Sequence, residues 1–261
     1  MAAKVIAVAN QKGGVGKTTS TLNIAHALHG RGQRVLAIDC DPQSSLSIVC
    51  GVDDRRLRDL EQAGLTLYHG LVKGVPLADL VIKGKPDVIP ASIRLASAEQ
   101  ELHSPFGAAT ILREKLPLLR DLYDMILIDC PPTLSLLTIN ALTASDFVVI
   151  PVKTDFLSIM GVPLLLETIE NVRNRANSRL KLLGILPTMF LTTASHDAAL
   201  LSELRELAAQ QNITVFDPVS RATAFDKANA SGKSALELYP ATRGVDQYRV
   251  VAEAIINYAS I

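Results

Sequence analysis

The sequence predicts an α/β fold: a doubly wound, mostly parallel sheet with helices on both faces. Two observations predict it. Strand-like and helix-like runs alternate from one end to the other, and most of the strand-like runs (VIAVA at 5–9, MILI at 125–128, FVVIPV at 147–152) are apolar throughout. Strands without polar alternation are covered on both faces, as in parallel sheets. A Gly-rich loop at 10–16 also sits between the first strand and the first helix, and a second strand completes a βαβ unit by about residue 40.

The elements follow in order. Residues 4–9 are apolar and β-branched, and 17–30 carry Leu22, Ile24, Ala25 and Leu28 at helical spacing. Residues 35–38 form a second buried strand ending at Asp39. The stretch 52–84 reads as two or three short helices jointed at Gly64, Gly74 and Gly84. A short strand is expected at 87–89, helices at 98–102 and 108–119, a strand at 125–128 ending at Asp129, and another at 147–152. Then come a long amphipathic helix over 159–175, a strand at 180–186, a helix at 198–210, a last short strand at 213–216 and a C-terminal helix at 245–258. No repeat or low-complexity linker interrupts the chain, so residues 1–261 read as one domain.

Composition bounds the function. The 261 residues are 48% hydrophobic with zero net charge, which excludes a disordered chain. No apolar run reaches the roughly 18–20 residues that span a bilayer. The first nine residues run straight into the Gly-rich loop, so they read as a strand and not as a signal peptide. Cys40, Cys50 and Cys130 form no CxxC pair and read as small buried residues of a reduced protein. His26, His29, His69, His103 and His196 have no ligand spacing, and His26 and His29 read as helix-surface residues. Neutral charge does not favour nucleic acid but leaves room for a local basic patch.

Residues 12–19 read Lys-Gly-Gly-Val-Gly-Lys-Thr-Thr after a strand and at the opening of a helix. Gly13, Gly14 and Gly16 let the backbone turn its N–H groups inward around phosphate oxygens. The helix N-terminus adds positive potential. Lys17 reaches the β- and γ-phosphates, and Thr18 offers a hydroxyl to magnesium. The whole run, with Val15 and Thr19, is the expected ATP-binding loop of a P-loop NTPase. Lys12 departs from the ordinary pattern, which makes the loop a deviant Walker A motif. From the loop entrance it does not readily reach its own γ-phosphate, but it can reach one held in a facing subunit.

Two carboxylate motifs complete the site. Asp39-Cys40-Asp41-Pro42-Gln43 follows the second strand, and Asp129-Cys130-Pro131-Pro132 follows a later one. Both put aspartates at carboxyl ends of parallel strands, where open α/β sheets bind ligands. Asp129 fits a magnesium-holding carboxylate, Asp39 supports the metal shell, and Asp41 positions the attacking water. The catalytic set is therefore Lys12, Lys17 and Asp41, with Thr18, Asp39 and Asp129 at the metal. Met189 and Pro218, in loops after late strands, are candidates to flank the adenine.

KGGVGKTT at 12–19, DCDPQ at 39–43 and LIDCPP at 127–132 together resemble the ParA/MinD family of deviant Walker A ATPases, and more closely its short ParA/Soj branch. The run from Arg221, RATAFDKA, and the following GKSALE at 232–237 resemble that family's late signature. The resemblance implies weak ATPase activity stimulated by a ParB-like partner, and an ATP-bound homodimer in which Lys12 contacts the other subunit's phosphate. It also implies non-specific DNA binding by that dimer, hence a cytoplasmic, nucleoid-associated protein in plasmid or chromosome partition. Arg221, Lys227, Lys233 and Arg243 are the implied DNA contacts, with Arg173, Arg175 and Arg179 as a second cluster. Two arginines usual in Soj-type chains are missing. Leu191, Thr192 and Thr193 follow Thr188-Met189-Phe190, and Ala224 stands at the other position.

Rival readings share the chemistry and differ in partner. One is a positioner of a protein cargo, such as an organelle or chemoreceptor cluster. Another is a MinD-like membrane ATPase, but residues 248–261 lack the basic, bulky amphipathic face that it needs. A non-hydrolysing scaffold conflicts with the intact Lys12, Lys17, Asp41 and Asp129.

Overall fold

The computed structural model describes residues 2–102, 107–191 and 194–259, so His103, Thr192 and Thr193 lie outside the described residues. The first unit is β1 (Lys4–Val8), α1 (Lys17–His29) and β2 (Val35–Asp39). Next come α2 (Ser45–Val49), α3 (Asp54–Gln62), α4 (Leu67–Lys73), a 3-10 turn at Leu77–Leu80 and β3 (Asp87–Ile89). α5 (Leu95–Glu101), α6 (Ile111–Lys115) and α7 (Pro117–Leu122) lead to β4 (Met125–Asp129). α8 (Leu136–Ala144) joins it to β5 (Phe147–Lys153), and α9 (Phe156–Met160) and α10 (Val162–Arg175) lead on to β6 (Lys181–Thr188). The described chain closes with α11 (Ser195–Gln210), α12 (Thr223–Ala230), α13 (Ala235–Leu238) and α14 (Gln247–Ala259).

The six strands form one sheet in the order β3-β2-β4-β1-β5-β6, and every pairing within it is parallel. All strand carboxyl ends therefore meet at one edge. Alternate residues feed cores on opposite faces. Val5, Ala7, Leu36, Ile38, Ile126 and Ile128 pack under α4–α8, α10 and α11. Ile6, Leu127 and Val149 pack under α1 and α12–α14. Residues such as Ile6, Ile38 and Ile128 are fully buried, each contributing about 1.5–3 kcal/mol of transfer free energy.

Several expectations shift in ways the residues explain. The expected 159–175 helix is two helices meeting at Gly161, because Pro163 in the first turn of α10 starts a new helix and Asp155 caps α9. Pro117, in the first turn of α7, likewise divides 108–119. The expected strand at 213–216 is reduced to isolated parallel bridges, Ile185↔Val215 and Phe190↔Ser220. Pro187 and Pro218 both lack the N–H that a continuous ladder would use here. α2, α8, α12 and α13 were not anticipated. α8 is buried on nearly every side, so it carries no amphipathic period to read.

The 218–220 segment leaves no room at Gly244, whose φ is 79°. A Cβ there would sit 2.7 Å from the Ser220 nitrogen and 3.1 Å from the Val219 Cα, both backbone atoms. Gly244→Ala should lower stability by about 2–4 kcal/mol in urea unfolding. A loss under about 0.5 kcal/mol would show that this contact is not held in solution.

Candidate phosphate and metal site

The carboxyl ends of β1, β2, β4 and β5 position the site. In register, Asp129 faces Val8 on one side and Asp39 on the other, which brings both aspartates under the loop that leaves β1. The loop turns at Gly14 (φ 70°) and Gly16 (φ 81°) before α1 begins at Lys17. The Gly16 conformation favours glycine, and it brings the loop against Thr188, whose hydroxyl donates to the Val15 carbonyl at 2.9 Å. Asn10 steadies the loop entrance: its amide donates to the Pro151 carbonyl at 2.7 Å, and its Oδ1 accepts from the Lys12 N–H at 2.9 Å.

Lys17 is 7% exposed, and its Nζ donates to the Lys12 carbonyl at 3.0 Å, so the ammonium is held inside the curl of the loop. Burial pulls its pKa below the ordinary lysine value, opposed chiefly by the charge of Asp129. The Thr18 hydroxyl donates to Asp129 Oδ2 at 2.7 Å, and the Thr21 hydroxyl lies 3.3 Å from Oδ1. Burial and then the neighbouring Asp39 push Asp129 up to about 8, against the Thr18 hydrogen bond. Burial lifts Asp39 to about 6, opposed by Ser47.

The two carboxylates differ in what they offer. Asp39 Oδ2 accepts from the Ser47 N–H (2.7 Å) and hydroxyl (2.6 Å), and Oδ1 from the Asp41 N–H (3.2 Å). Protein donors occupy both its oxygens, so it braces the segment that carries Asp41 and Ser47. Asp41, 9% exposed, accepts from the Gln43 N–H at 3.0 Å. Among the described residues no cluster of three or more His, Cys, Asp or Glu could hold a metal ion. Magnesium fits the donor set nonetheless: a hydroxyl and a carboxylate at hydrogen-bonding distance are hard oxygen ligands, and this ion ordinarily takes one or two such groups plus phosphate and water.

Three residues in the site were not legible in sequence. Asp155 accepts from Lys12 Nζ at 2.7 Å, Gln11 donates to the Gly161 carbonyl at 3.0 Å, and Asn229 donates to the Thr19 hydroxyl at 3.1 Å. Each joins the loop to a residue at least 143 positions away in sequence, so no local pattern marks it. Two of the three cysteines are buried as expected. All three are free, Cys40 and Cys130 are buried directly after the two aspartates, and Cys50 is half-buried. On α1, His29 is exposed as expected and His26 is half-buried, while His69 is buried against the Thr66 hydroxyl at 3.0 Å.

Met189 and Pro218 are half-exposed on neighbouring segments beyond the end of β6, where the Arg221 N–H donates to the Phe190 carbonyl at 3.0 Å. Arg221, Lys227, Lys233 and Arg243 are all exposed. Lys233 is paired with Glu237 at 3.0 Å. The second arginine cluster does not join this group. Arg173 and Arg179 line a separate groove of about 1180 Å³ with Lys4 and Lys181, at the amino-terminal edge of the sheet.

Comparison with known proteins places this geometry. A family model described as an AAA domain matches residues 3–182. The chain is 37% identical over 256 residues to the sporulation initiation inhibitor protein Soj of Bacillus subtilis, covering 97% of this chain and 98% of that one. It is 36% identical over 260 residues to the chromosome partitioning protein ParA of Caulobacter vibrioides, covering 97% and 94%. This chain belongs to the ParA/Soj family of ATPases.

Solved structures agree with that membership. The ParA/Soj-type chain described here superposes on apo McdA of Cyanothece with a TM-score of 0.84 at 25% identity, over 97% of this chain and 99% of that one. It superposes on a cobyrinic acid a,c-diamide synthase of Mycobacterium smegmatis, solved with ADP and magnesium, with a TM-score of 0.82 at 32% identity, over 99% and 96%.

A carboxyl whose folded pKa is raised keeps a proton that the unfolded chain has already released. Stability then falls as pH climbs from the unfolded value toward the folded one. For Asp129 that window runs from 3.8 to about 8. Asp129→Asn should therefore stabilise the protein without nucleotide or magnesium by about 1–3 kcal/mol at pH 8, the gain shrinking toward pH 5. Urea unfolding at the two pH values checks this, and a variant less stable than its parent at pH 8 would contradict it.

Proposed function

We propose that residues 1–261 act as one P-loop ATPase domain that hydrolyses ATP with magnesium, dimerises when ATP is bound, and partitions DNA with a ParB-like partner from a cytoplasmic, nucleoid-associated position. The observation that carries this reading is the division of labour between the two lysines. Lys17 is buried in the curl of the loop, whereas Lys12 points out of its entrance to Asp155. One lysine serves its own nucleotide, and the other serves a facing one once it leaves Asp155.

Thr18 and Asp129 would hold magnesium, which would supply positive charge to offset the phosphate oxygens. Lys17 binds the β- and γ-phosphates and stabilises charge developing on them. The loop backbone from Gly13 to Thr19 orients the nucleotide. Asp41 orients the attacking water, with Asp39 and Ser47 holding its segment still. Lys12 of the facing protomer completes the charge around the γ-phosphate, so hydrolysis removes a group that joins the subunits.

A route from nucleotide to DNA runs through α12. Asn229 donates to Thr19 in the loop, and Asn23 Oδ1 of α1 accepts from the Leu236 N–H at 3.1 Å. α12 and its flanks carry Arg221, Lys227 and Lys233, whose phosphate contacts would be sequence-independent and salt-sensitive. A protein cargo in place of DNA is the second reading. The pairing of Lys233 with Glu237, and Asp226 beside Lys227, favour it by thinning the basic face. No described helix is long and apolar enough to cross a membrane.

Binding to non-specific duplex DNA without nucleotide, with ADP and with ATP, each at two salt concentrations, tests the reading. Tight, salt-sensitive binding only with ATP is expected, and Lys17→Ala should abolish it while lowering hydrolysis at least about 100-fold. Intact ATPase activity with no DNA binding in any nucleotide state would remove the DNA reading and leave the protein cargo.

A further inference from the structure

Lys12 is not loose in the monomer. Its Nζ lies 2.7 Å from Asp155 Oδ1, with both side chains about one-third exposed (34% and 30%). Asp155 serves two other groups. It caps α9 by accepting the Ser158 N–H at 2.8 Å, and its Oδ2 lies 3.1 Å from Lys153 Nζ. Burial alone would raise its pKa, but Lys12, the Ser158 N–H and Lys153 together hold the carboxyl well below the ordinary range, so it is charged at any working pH. The other end of α9 is also tied to the loop entrance, through Gln11 Nε2 and the Gly161 carbonyl at 3.0 Å. The short helix between these two ties exposes Phe156 (56%), Leu157 (71%) and Met160 (58%).

We propose that Asp155 is a positioning residue that holds Lys12 in its own subunit, with Lys153 as the group that keeps Asp155 paired once Lys12 leaves, so that this triad sets the protein concentration at which the ATP-bound chain dimerises. The inference rests on the cross-subunit role of Lys12 given above. A lysine that must reach a facing phosphate first gives up its present partner, and the carboxylate left behind would carry an unbalanced, partly desolvated charge. Lys153 is already on the second oxygen and lowers that cost. The resting pair keeps Lys12 ordered at the loop entrance while preventing it from engaging non-productively. Because each protomer gives up one such pair, the effect on the dimer equilibrium enters as a square.

Asp155→Asn separates the latch from the fold, since asparagine caps a helix as well as aspartate does. Two measurements test it, with the unfolding midpoint as a control on the cap. The first is labelling of Lys12 by an amine-acylating reagent in the nucleotide-free full chain, read by mass spectrometry. Faster labelling of Lys12 in Asp155→Asn than in the parent is expected, and equal rates would overturn the latch whether or not the protein dimerises. The second is the midpoint protein concentration of dimerisation by sedimentation at saturating ATP and magnesium. Asp155→Asn should lower it by about fourfold to twenty-fivefold, the square of the roughly two- to fivefold that a partly exposed pair is worth. Lys153→Ala should raise it. An unchanged or higher midpoint for Asp155→Asn would overturn the proposal. A parent chain that stays monomeric with ATP would instead remove the cross-subunit reading, and with it the role of the latch in dimerisation.

Discussion

The in-register parallel pairing of β1, β2 and β4 is the constraint on which the site depends. Asp129 takes Val8 and Asp39 as its partners on either side, so a loop and two carboxylates from distant parts of the chain arrive at one edge at the same depth. A slip of one residue in either ladder would turn Asp39 or Asp129 into the opposite face of the sheet. The apolar runs before these aspartates resist such a slip, because every residue of β2 and β4 is buried. Packing on two faces thus fixes the geometry of charge at the edge. The cost is two carboxyls in a dry place, and their raised pKa values register that cost.

Those carboxyls are tolerated because local donors meet them. Ser47 gives Asp39 two hydrogen bonds, and its own hydroxyl accepts from the Ala91 N–H at 3.0 Å, which carries the support on to the end of β3. Thr18 and Thr21 do the same for Asp129 from the first two turns of α1. Each donor lies on an element that also frames the phosphate cradle. The arrangement is stiff where charge must be placed and open only toward the ligand, which is the condition for electrostatic preorganisation.

Most of this was legible in the sequence because the signals are local. A glycine-rich loop flanked by a strand and a helix, and aspartates ending four-residue apolar runs, are patterns that short-range physics produces. The sheet class was legible for the same reason. What escaped depends on partners far apart along the chain. Asp155 looks like an ordinary helix cap until it meets Lys12. The break at Gly161 was hidden by a sequence that continues its apolar period across a proline. The run at 213–216 has strand-like residues, but its neighbour β6 presents Pro187 where a ladder would need a donor. α8 escaped because burial on nearly all sides erases the polar face that reveals a helix.

The way the chain closes has a consequence for its synthesis. α1, made within the first thirty residues, buries Ile24, Ala25 and Leu28 against a core completed by Phe225, Tyr248, Val251 and Ile255, near the far end of the chain. Until those residues leave the ribosome, the part of α1 that packs on α14 has no permanent cover. A nascent chain ending before about residue 225 would therefore show that part to its surroundings, as a binding site for chaperones and a nucleus for misassembly.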